Sequence, residues 1–329
     1  MNILVVGGAG YIGSHTAKLL RENQHNVIIY DNLSKGHVEA ISEFVFVQGD
    51  IFDESLLITT IQQYQIEAVV HFAAFIQVGE SVIDPQQYYR NNVVGTLSLL
   101  SAMLATNVKQ LVFSSTAAVF GEPERVPITE DVAKIQTNPY GRTKWIMEQA
   151  MNDYSHAYGL RFVALRYFNA CGADPSGAIG EDHEPESHLI PLVLFAASGK
   201  RDSIKIFGTD YPTADGTCVR DYIHINDLAL AHMLALEYLQ SGGSSTAYNL
   251  GVGNGFSVKE IIDAAERVTG KAIKRDFVPR REGDPAVLVA DSAKIRAELG
   301  WEPVYTNVEE IIKTAWNWHS NHPNGYKNY

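Results

Sequence analysis

Short apolar runs and helix-length periodic stretches alternate through the first half of the chain. Residues 2–6 (NILVV) form the first run, and glycines follow it. Further runs stand at 27–30 (VIIY), 44–47 (FVFV), 68–74 (AVVHFAA), 111–114 (LVFS) and 162–167 (FVALRY). Between them, 14–22, 55–64, 85–106 and 140–158 repeat apolar positions at helical spacing. Strands that are apolar on both faces and separated by helices predict a parallel sheet covered on both sides. Right-handed crossovers then give an α/β, doubly wound sheet of the Rossmann type. After about residue 172 the rhythm breaks. Residues 173–188 are rich in Gly, Pro, Asp and Glu and read as a loop. Helices are predicted at 190–198, 225–240 and 258–269, and 248–250 (YNL) reads as a late strand returning to the main sheet. The division expected is 1–172, with returning segments near 223–252, and a smaller, interleaved α/β portion within 173–329. No repeat, low-complexity tract or heptad run is present.

The chain has 329 residues, 46% hydrophobic and 19% charged, enough to fold around a large core without disulfides. Lysine plus arginine total 26 against 38 acidic residues, a net charge of −12. Such a surface argues against nucleic-acid or anionic-membrane partners. An anionic ligand must therefore be met by a few well-placed cations. The two cysteines, Cys171 and Cys218, form no disulfide framework and are expected as reduced thiols in a cytoplasmic protein. The longest apolar stretches, around 68–78 and 189–197, are too short to span a bilayer. The N-terminus lacks a basic leader region and runs at once into glycines, so it is expected to be structure and not a signal peptide.

Those glycines carry the first chemical signal. Gly7, Gly10 and Gly13 stand between the first strand and the first helix. Gly7 suits a tight turn, Gly10 a close approach of a pyrophosphate, and Gly13 close helix–strand packing. The helix N-terminus adds free N–H groups and partial positive charge. Asp31 closes the second strand, where a carboxylate can accept hydrogen bonds from ribose hydroxyls. It would repel a 2′-phosphate, which favours NAD over NADP, although Lys35 lies near. Asp50 and Ile51, after the third strand, suit either an adenine or a plain strand-to-helix cap.

The second signal is a proton-transfer pair. Tyr140 and Lys144 are four apart on a predicted helix and so share a face. A free tyrosine, with a pKa near 10, is a poor base at neutral pH. A neighbouring ammonium is expected to lower it. Ser114 and Thr116 end the fifth strand, at the sheet edge where such folds bind ligands, and offer hydroxyls.

With this combination the chain resembles the extended short-chain dehydrogenase/reductase family, and within it the enzymes that epimerise UDP-sugars at C4. The resemblance runs nearly end to end. It includes GGAGYIGSHT at 7–16, FSSTAAVFG at 113–121, NPYGRTK at 138–144, LRYFNACGADPSG at 165–177, GEDHEPESHLIPL at 180–192 and DGTCVRDYIHINDLA at 215–229. It implies reversible C4 epimerisation of a UDP-hexose through a transient 4-keto sugar, with tightly held NAD. Tyr140 becomes the base, Lys144 its partner at the nicotinamide ribose, and Thr116, with Ser114 beside it, the strand-end hydroxyl. Cofactor contacts are implied at Tyr11, Ile12, Asn32, Phe72, Asn91 and Tyr167, in addition to the glycines, Asp31, Asp50 and Ile51. The UDP-sugar is implied at Phe168, Asn169, His188, Leu189, Ile206, Phe207, Arg220, Tyr222, Val258, Arg281, Asp284 and Leu288. For Arg220 and Arg281 the competing reading is a surface ion pair with Asp221 or Asp284. Relatives pair through the helices at 85–106 and 140–158, so a homodimer is implied as well.

Two departures from the family pattern are informative. Ile76 stands where some members carry a lysine near the cofactor. Leu288 stands where some carry tyrosine and others a small residue that admits N-acetylated sugars, which leaves C2 specificity open. Asp182, His183, Glu184, Glu186 and His188 look like metal ligands, but Pro185 interrupts them and no helical His pair exists. No metal is expected there, only a solvated or substrate-facing loop. His224 and His232 are expected to be structural. A nucleotide-sugar 4,6-dehydratase is disfavoured because Ala117-Ala118, not an acidic pair, follow Thr116. UDP-pentose or UDP-N-acetylhexosamine epimerisation stays an alternative, and a non-catalytic NAD sensor would not need the tyrosine–lysine pair.

Overall fold

The six apolar runs of the first half all become strands of one sheet. In the computed structural model, which describes residues 1–281 and 284–327, these are β1 (Asn2–Val6), β2 (Asn26–Asp31), β3 (Val45–Gln48), β4 (Ala68–His71), β5 (Gln110–Thr116) and β6 (Arg161–Tyr167). The strand Thr246–Leu250 completes a seven-stranded parallel sheet beside β6, with β1 between β4 and β2 and with β3 at the far edge. The late strand thus returns as its sequence predicts.

Alternate residues of each strand feed two cores. Ile3, Val5, Ile29, Val70, Val112 and Leu165 face one side, under α1 (Tyr11–Glu22) and the helix Ile225–Gln240. Leu4, Val6, Ile28, Val69, Leu111 and Phe113 face the other, under α2 (Glu54–Gln63), Gly95–Ala105 and Pro139–Tyr158. Each buried Val, Leu or Ile contributes about 1.5–3 kcal/mol, so both faces must be covered. The order reverses at β1, so the crevice over the carboxyl ends of β1 and β4 is where a ligand fits.

Some elements differ from their sequence expectations. The first helix starts at Tyr11 rather than 14, directly on the glycine turn. β4 stops at His71 because the N–H groups of both Phe72 and Ala73 donate to the Val6 carbonyl. The stretch expected as one helix over 85–106 is interrupted by a π-helical turn, Tyr89–Val94. The second half contains unpredicted short strands. Val219–His224 pairs with Asn169–Cys171, Gly255–Ser257 and Val287–Leu288, and Ile204–Phe207 pairs with Arg275–Val278. The helices Ala293–Leu299 and Val308–Asn321 were not predicted either. Helices Leu189–Ser198, Val258–Thr269 and Val308–Asn321 enclose a third core.

Candidate active site

The glycine turn between β1 and α1 is shaped by contacts. Gly7 has φ +79°, and a Cβ there would lie 2.4 Å from the Ala73 nitrogen. A Cβ on Gly13 would lie 2.4 Å from the Gly7 carbonyl oxygen. Gly10 is different: a Cβ there would meet nothing nearer than 3.5 Å. The protein itself does not demand glycine at this position, which leaves the space above Gly10 open for a ligand to approach the backbone. Gly10 caps α1 without a side-chain hydrogen bond, and no acid stands in the first turn. The leading N–H groups are thus free for an anion.

A cleft beside this turn is lined by Gly7, Gly10, Asp31, Asn32, Lys35, Ile51, Phe75 and Asn91, among others. Asp31 is buried, which pushes its carboxyl pKa up, while the N–H groups of Ala9 (3.0 Å) and Leu33 (2.8 Å) oppose that shift. Asn32 donates to Asp50 at 2.9 Å. Asp53, not Asp50, caps α2, so the cap reading of Asp50 does not hold. The Lys35 ammonium donates to the Glu184 carbonyl at 3.0 Å. Asn91 lies on the π-helical turn, Phe72 packs against His232 with ring centres 4.8 Å apart, and Ile76 is exposed. Tyr11 donates from its hydroxyl to the Gly172 carbonyl at 2.6 Å, and Ile12 is partly buried against the core.

Tyr140 sits at the start of the helix Pro139–Tyr158, which Asn138 caps by accepting from the Gly141 N–H at 2.8 Å. A Cβ on Gly141 would lie 2.4 Å from the Ala118 oxygen. Glycine here lets the helix press against the residues that follow β5, which brings Tyr140 to the Thr116 hydroxyl. Burial pushes the Tyr140 phenol up to about 12, and the Thr116 hydroxyl works against that rise. Lys144 turns its ammonium to the Ser114 carbonyl at 2.8 Å and over the Phe113 ring at 4.9 Å. Burial lowers Lys144 to about 7, opposed by Glu148. Thr116 is the side chain that works against the rise at Tyr140. The Ser114 hydroxyl meets the Tyr167 hydroxyl, and burial pushes Tyr167 up.

Phe168 and Leu288 pack against one apolar cluster of Val119, Phe120, Ile128 and Val132. Leu288 pairs with Arg220 across neighbouring strands. Arg220 forms its ion pair with Asp284 at 2.7 Å, so of the two carboxylates considered, Asp284 is the partner. Asp221 is instead buried and accepts from the N–H groups of Val252, Gly253 and Ala290. Burial raises it to about 6 against those bonds. Arg281 lies 3.9 Å over the Phe207 ring. Asn169 donates to the Asp221 carbonyl at 2.9 Å, His188 caps the helix that Leu189 begins, and Val258 opens its own helix. Ile206 is fully buried in the third core and Tyr222 nearly so. The Ile206 side chain is therefore not presented to a ligand.

Of the two readings of the acidic loop, solvated or substrate-facing, full solvation does not hold for all of its side chains. Glu181, His183, Glu186 and His188 converge, with the Glu181 and Glu186 side chains only 4% and 5% exposed. Asp182 and Glu184 turn away, toward Tyr326 and Lys327. Glu181 was not recognised in the sequence. His224 caps its helix and stacks on Tyr305, and His232 bonds the Leu228 carbonyl, both structural as expected.

Sequence reasoning also missed the supports of the site. Asn92 is buried, accepts from the Phe75 N–H, and donates to the Phe75 carbonyl and the Thr143 hydroxyl. Glu148 is buried in an ion pair with Arg166 and accepts from Ser115 at 2.6 Å. Its spacing, four residues beyond Lys144, was the available signal.

The sheet and the glycine turn define a doubly wound scaffold of the NAD-binding type. The model of the NAD dependent epimerase/dehydratase family matches residues 3–251, and the chain belongs to that family. Among relatives, the UDP-glucose 4-epimerase of Halalkalibacterium halodurans is 56% identical over 326 residues, covering 99% of this chain and 98% of that protein. The crystal structure of UDP-glucose 4-epimerase from Brucella ovis in complex with NAD superposes with a TM-score of 0.94 at 52% identity, covering 95% of this chain and 96% of that one. The UDP-glucose 4-epimerase from Bifidobacterium longum, in complex with NAD+ and UDP, gives 0.93 at 38% identity, covering 99% and 100%.

Proposed function

We propose that this chain catalyses the reversible C4 epimerisation of a UDP-hexose, UDP-galactose to UDP-glucose, with tightly bound NAD. The observation that carries this reading is the buried Tyr140 phenol. It lies at the strand-end hydroxyl of Thr116, on the same helix face as Lys144, in a chain that aligns end to end with UDP-glucose 4-epimerases. NAD, held by these residues, would supply reversible hydride chemistry at sugar C4 with no net redox change.

The chain's own residues do the rest. Gly7, Gly10 and Gly13 shape the pyrophosphate cradle, and Asp31 takes the ribose hydroxyls. Its buried carboxylate favours NAD over NADP, and Lys35 is engaged by Glu184. Asn32, Asp50 and Ile51 border the adenine. Tyr140 takes the 4-hydroxyl proton and gives it back, a role that Thr116 supports by holding the phenol. Lys144, with Ser114 and Tyr167 beside it, serves the nicotinamide ribose. Arg220 and Arg281 meet the diphosphate, since guanidinium forks suit phosphates and the chain is otherwise acidic. Ala117 and Ala118 follow Thr116 in a tight 3₁₀ turn, which offers no carboxylate for a dehydratase elimination. Residues 1–172 with the returning segments near 223–252 form the NAD portion, and the rest of 173–329 mainly the UDP-sugar portion.

We also propose a homodimer through the helices at 85–106 and 139–158. Exposed Val94, Leu104 and Tyr158 and an apolar groove between Leu100, Leu104, Tyr154 and Tyr158 support it. A cytoplasmic setting is supported by two free, buried thiols. No helix among the described residues is long and apolar enough to cross a membrane.

The test is to incubate the purified protein with UDP-galactose and no added nucleotide cofactor. UDP-glucose is expected at catalytic yield, with NAD released on denaturation. A protein that oxidises the sugar while consuming added NAD in equal amount is a dehydrogenase and contradicts the proposal.

A further inference from the structure

Glu181, His183, Glu186 and His188 turn to one point in the loop between Asn169–Cys171 and Leu189–Ser198. Each offers one ligand atom, and all four atoms lie within 4.8 Å of one another. The adjacent pairs are tighter. His188 Nδ1 lies 2.8 Å from Glu181 Oε1 and 3.1 Å from Glu186 Oε1. His183 Nδ1 lies 3.2 Å from Glu181 Oε1 and 3.7 Å from Glu186 Oε2. Bonds of about 2.0–2.1 Å to a tetrahedral Zn²⁺ set its nitrogen and oxygen donors about 3.3 Å apart. With Oε2 as the Glu186 donor, the spacings of 2.8, 3.2 and 3.7 Å bracket that value.

Hydrogen bonding accounts for only part of the arrangement, at Glu186 Oε1. His183 Nδ1 and Glu186 Oε2 are both shut off from solvent, and neither makes a hydrogen bond. The Glu186 side chain is 5% exposed. A buried carboxylate oxygen and imidazole nitrogen that stand 3.7 Å apart with no hydrogen bond between them are costly, and a cation bonded to both removes the cost. The second oxygen of Glu186 is held by the N–H groups of Ser187 (2.7 Å) and His188 (2.8 Å), the outer support that a metal-ligating carboxylate needs. Two imidazoles and two carboxylates suit a first-row divalent ion, and the two negative charges balance it. Side chains 182 and 184 point out while 181 and 183 point in, and the chain turns at Pro185 to bring 186 and 188 round.

We propose that Glu181, His183, Glu186 and His188 form a structural zinc-type site. Four protein ligands fill a tetrahedral shell and leave no position for a reacting water. The site would staple the loop at two ends. His183 packs edge-on to Tyr11 of the nucleotide turn, ring centres 6.1 Å apart, and His188 caps the helix whose first residues are assigned to the UDP-sugar. Loss of the ion should loosen that end of the cleft and raise KM more than it lowers kcat.

The test uses the full-length chain, expressed with zinc in the medium and dialysed into metal-free buffer. Elemental analysis is expected to find about one Zn²⁺ per chain. Stripping with a chelator should lower the thermal midpoint, and Zn²⁺ alone should restore it. His183→Ala and Glu186→Gln should carry little zinc and lose the response while still binding NAD. Because the wild-type stoichiometry and the chelator response need no variant, a misfolded mutant does not block the test. A wild-type chain free of zinc, with a midpoint indifferent to Zn²⁺, would show an ion-pair network of imidazolium and carboxylate and overturn the proposal. Variants that keep a full equivalent of zinc would place the ion elsewhere and overturn it equally.

Discussion

A buried phenol needs help to act as a base, and at Tyr140 the help is arranged unequally. Spacing along the helix revealed the tyrosine and the lysine. It did not reveal that the Lys144 ammonium turns to the Ser114 carbonyl, nor that Thr116 is the group working against the burial that raises Tyr140 to about 12. Both depend on how closely the helix meets β5, which Gly141 sets. The sugar end was legible only as a set of residues; that Arg220 is paired with Asp284 emerges from strand pairing between distant segments. Leu288 packs against the same apolar cluster as Phe168. A larger residue there should crowd the C2 substituent of the sugar. Leu288→Tyr is expected to lower kcat/KM for UDP-N-acetylgalactosamine more than for UDP-galactose. Equal losses in steady-state assays would remove position 288 from specificity.

At the scale of elements, strands buried on both faces could be read directly, since an unbroken apolar run has one economical use in a soluble chain. The π-helical turn at Tyr89–Val94 could not, because its composition is that of the helix around it. The short strands of the second half stayed hidden for another reason. Val219–His224 is defined by partners some 30 to 70 residues away in the sequence, and runs of two to four residues carry no period of their own. The glycine turn separates two effects that its sequence merges. Gly13→Ala drives a methyl into the Gly7 carbonyl, so it is expected to lower both the thermal midpoint and NAD content. Gly10→Ala meets nothing in the protein. It should leave the midpoint of the NAD-stripped chain within about 1 °C while reducing bound NAD, because the methyl occupies the approach to the phosphates. Thermal melts with quantified NAD check both. A large loss of stability in stripped Gly10→Ala would contradict the cradle.

Across the whole molecule, burial of polar groups sets a pH response. Burial holds His15 and His232 near 4, and His71 and His224 near 3, all below the free value of 6.5. Below pH 6.5 the unfolded chain binds protons at these four positions that the folded chain refuses. Their contribution is thus intact above 6.5 and falls as pH drops toward 4, by about 1.4 kcal/mol per pH unit for each histidine. Unfolding at pH 5.5 is expected to take up about four protons from these groups, with a midpoint clearly below that at pH 7.5. A midpoint unchanged over this range would mean that the histidines are not held neutral. The sequence marks His224 and His232 as structural but not His15 or His71 among its eleven histidines; depth in the fold distinguishes them.

The most direct measurement is the turnover of Tyr140→Phe on UDP-galactose, made on protein whose NAD content has been quantified. The ring still fills its place in the core and only the hydroxyl is lost. NAD content and thermal midpoint should match the wild type, while kcat falls by a factor on the order of 10² to 10⁴. Turnover within about twofold of wild type, at full NAD occupancy, would contradict the assignment of Tyr140 as the group that moves the sugar proton.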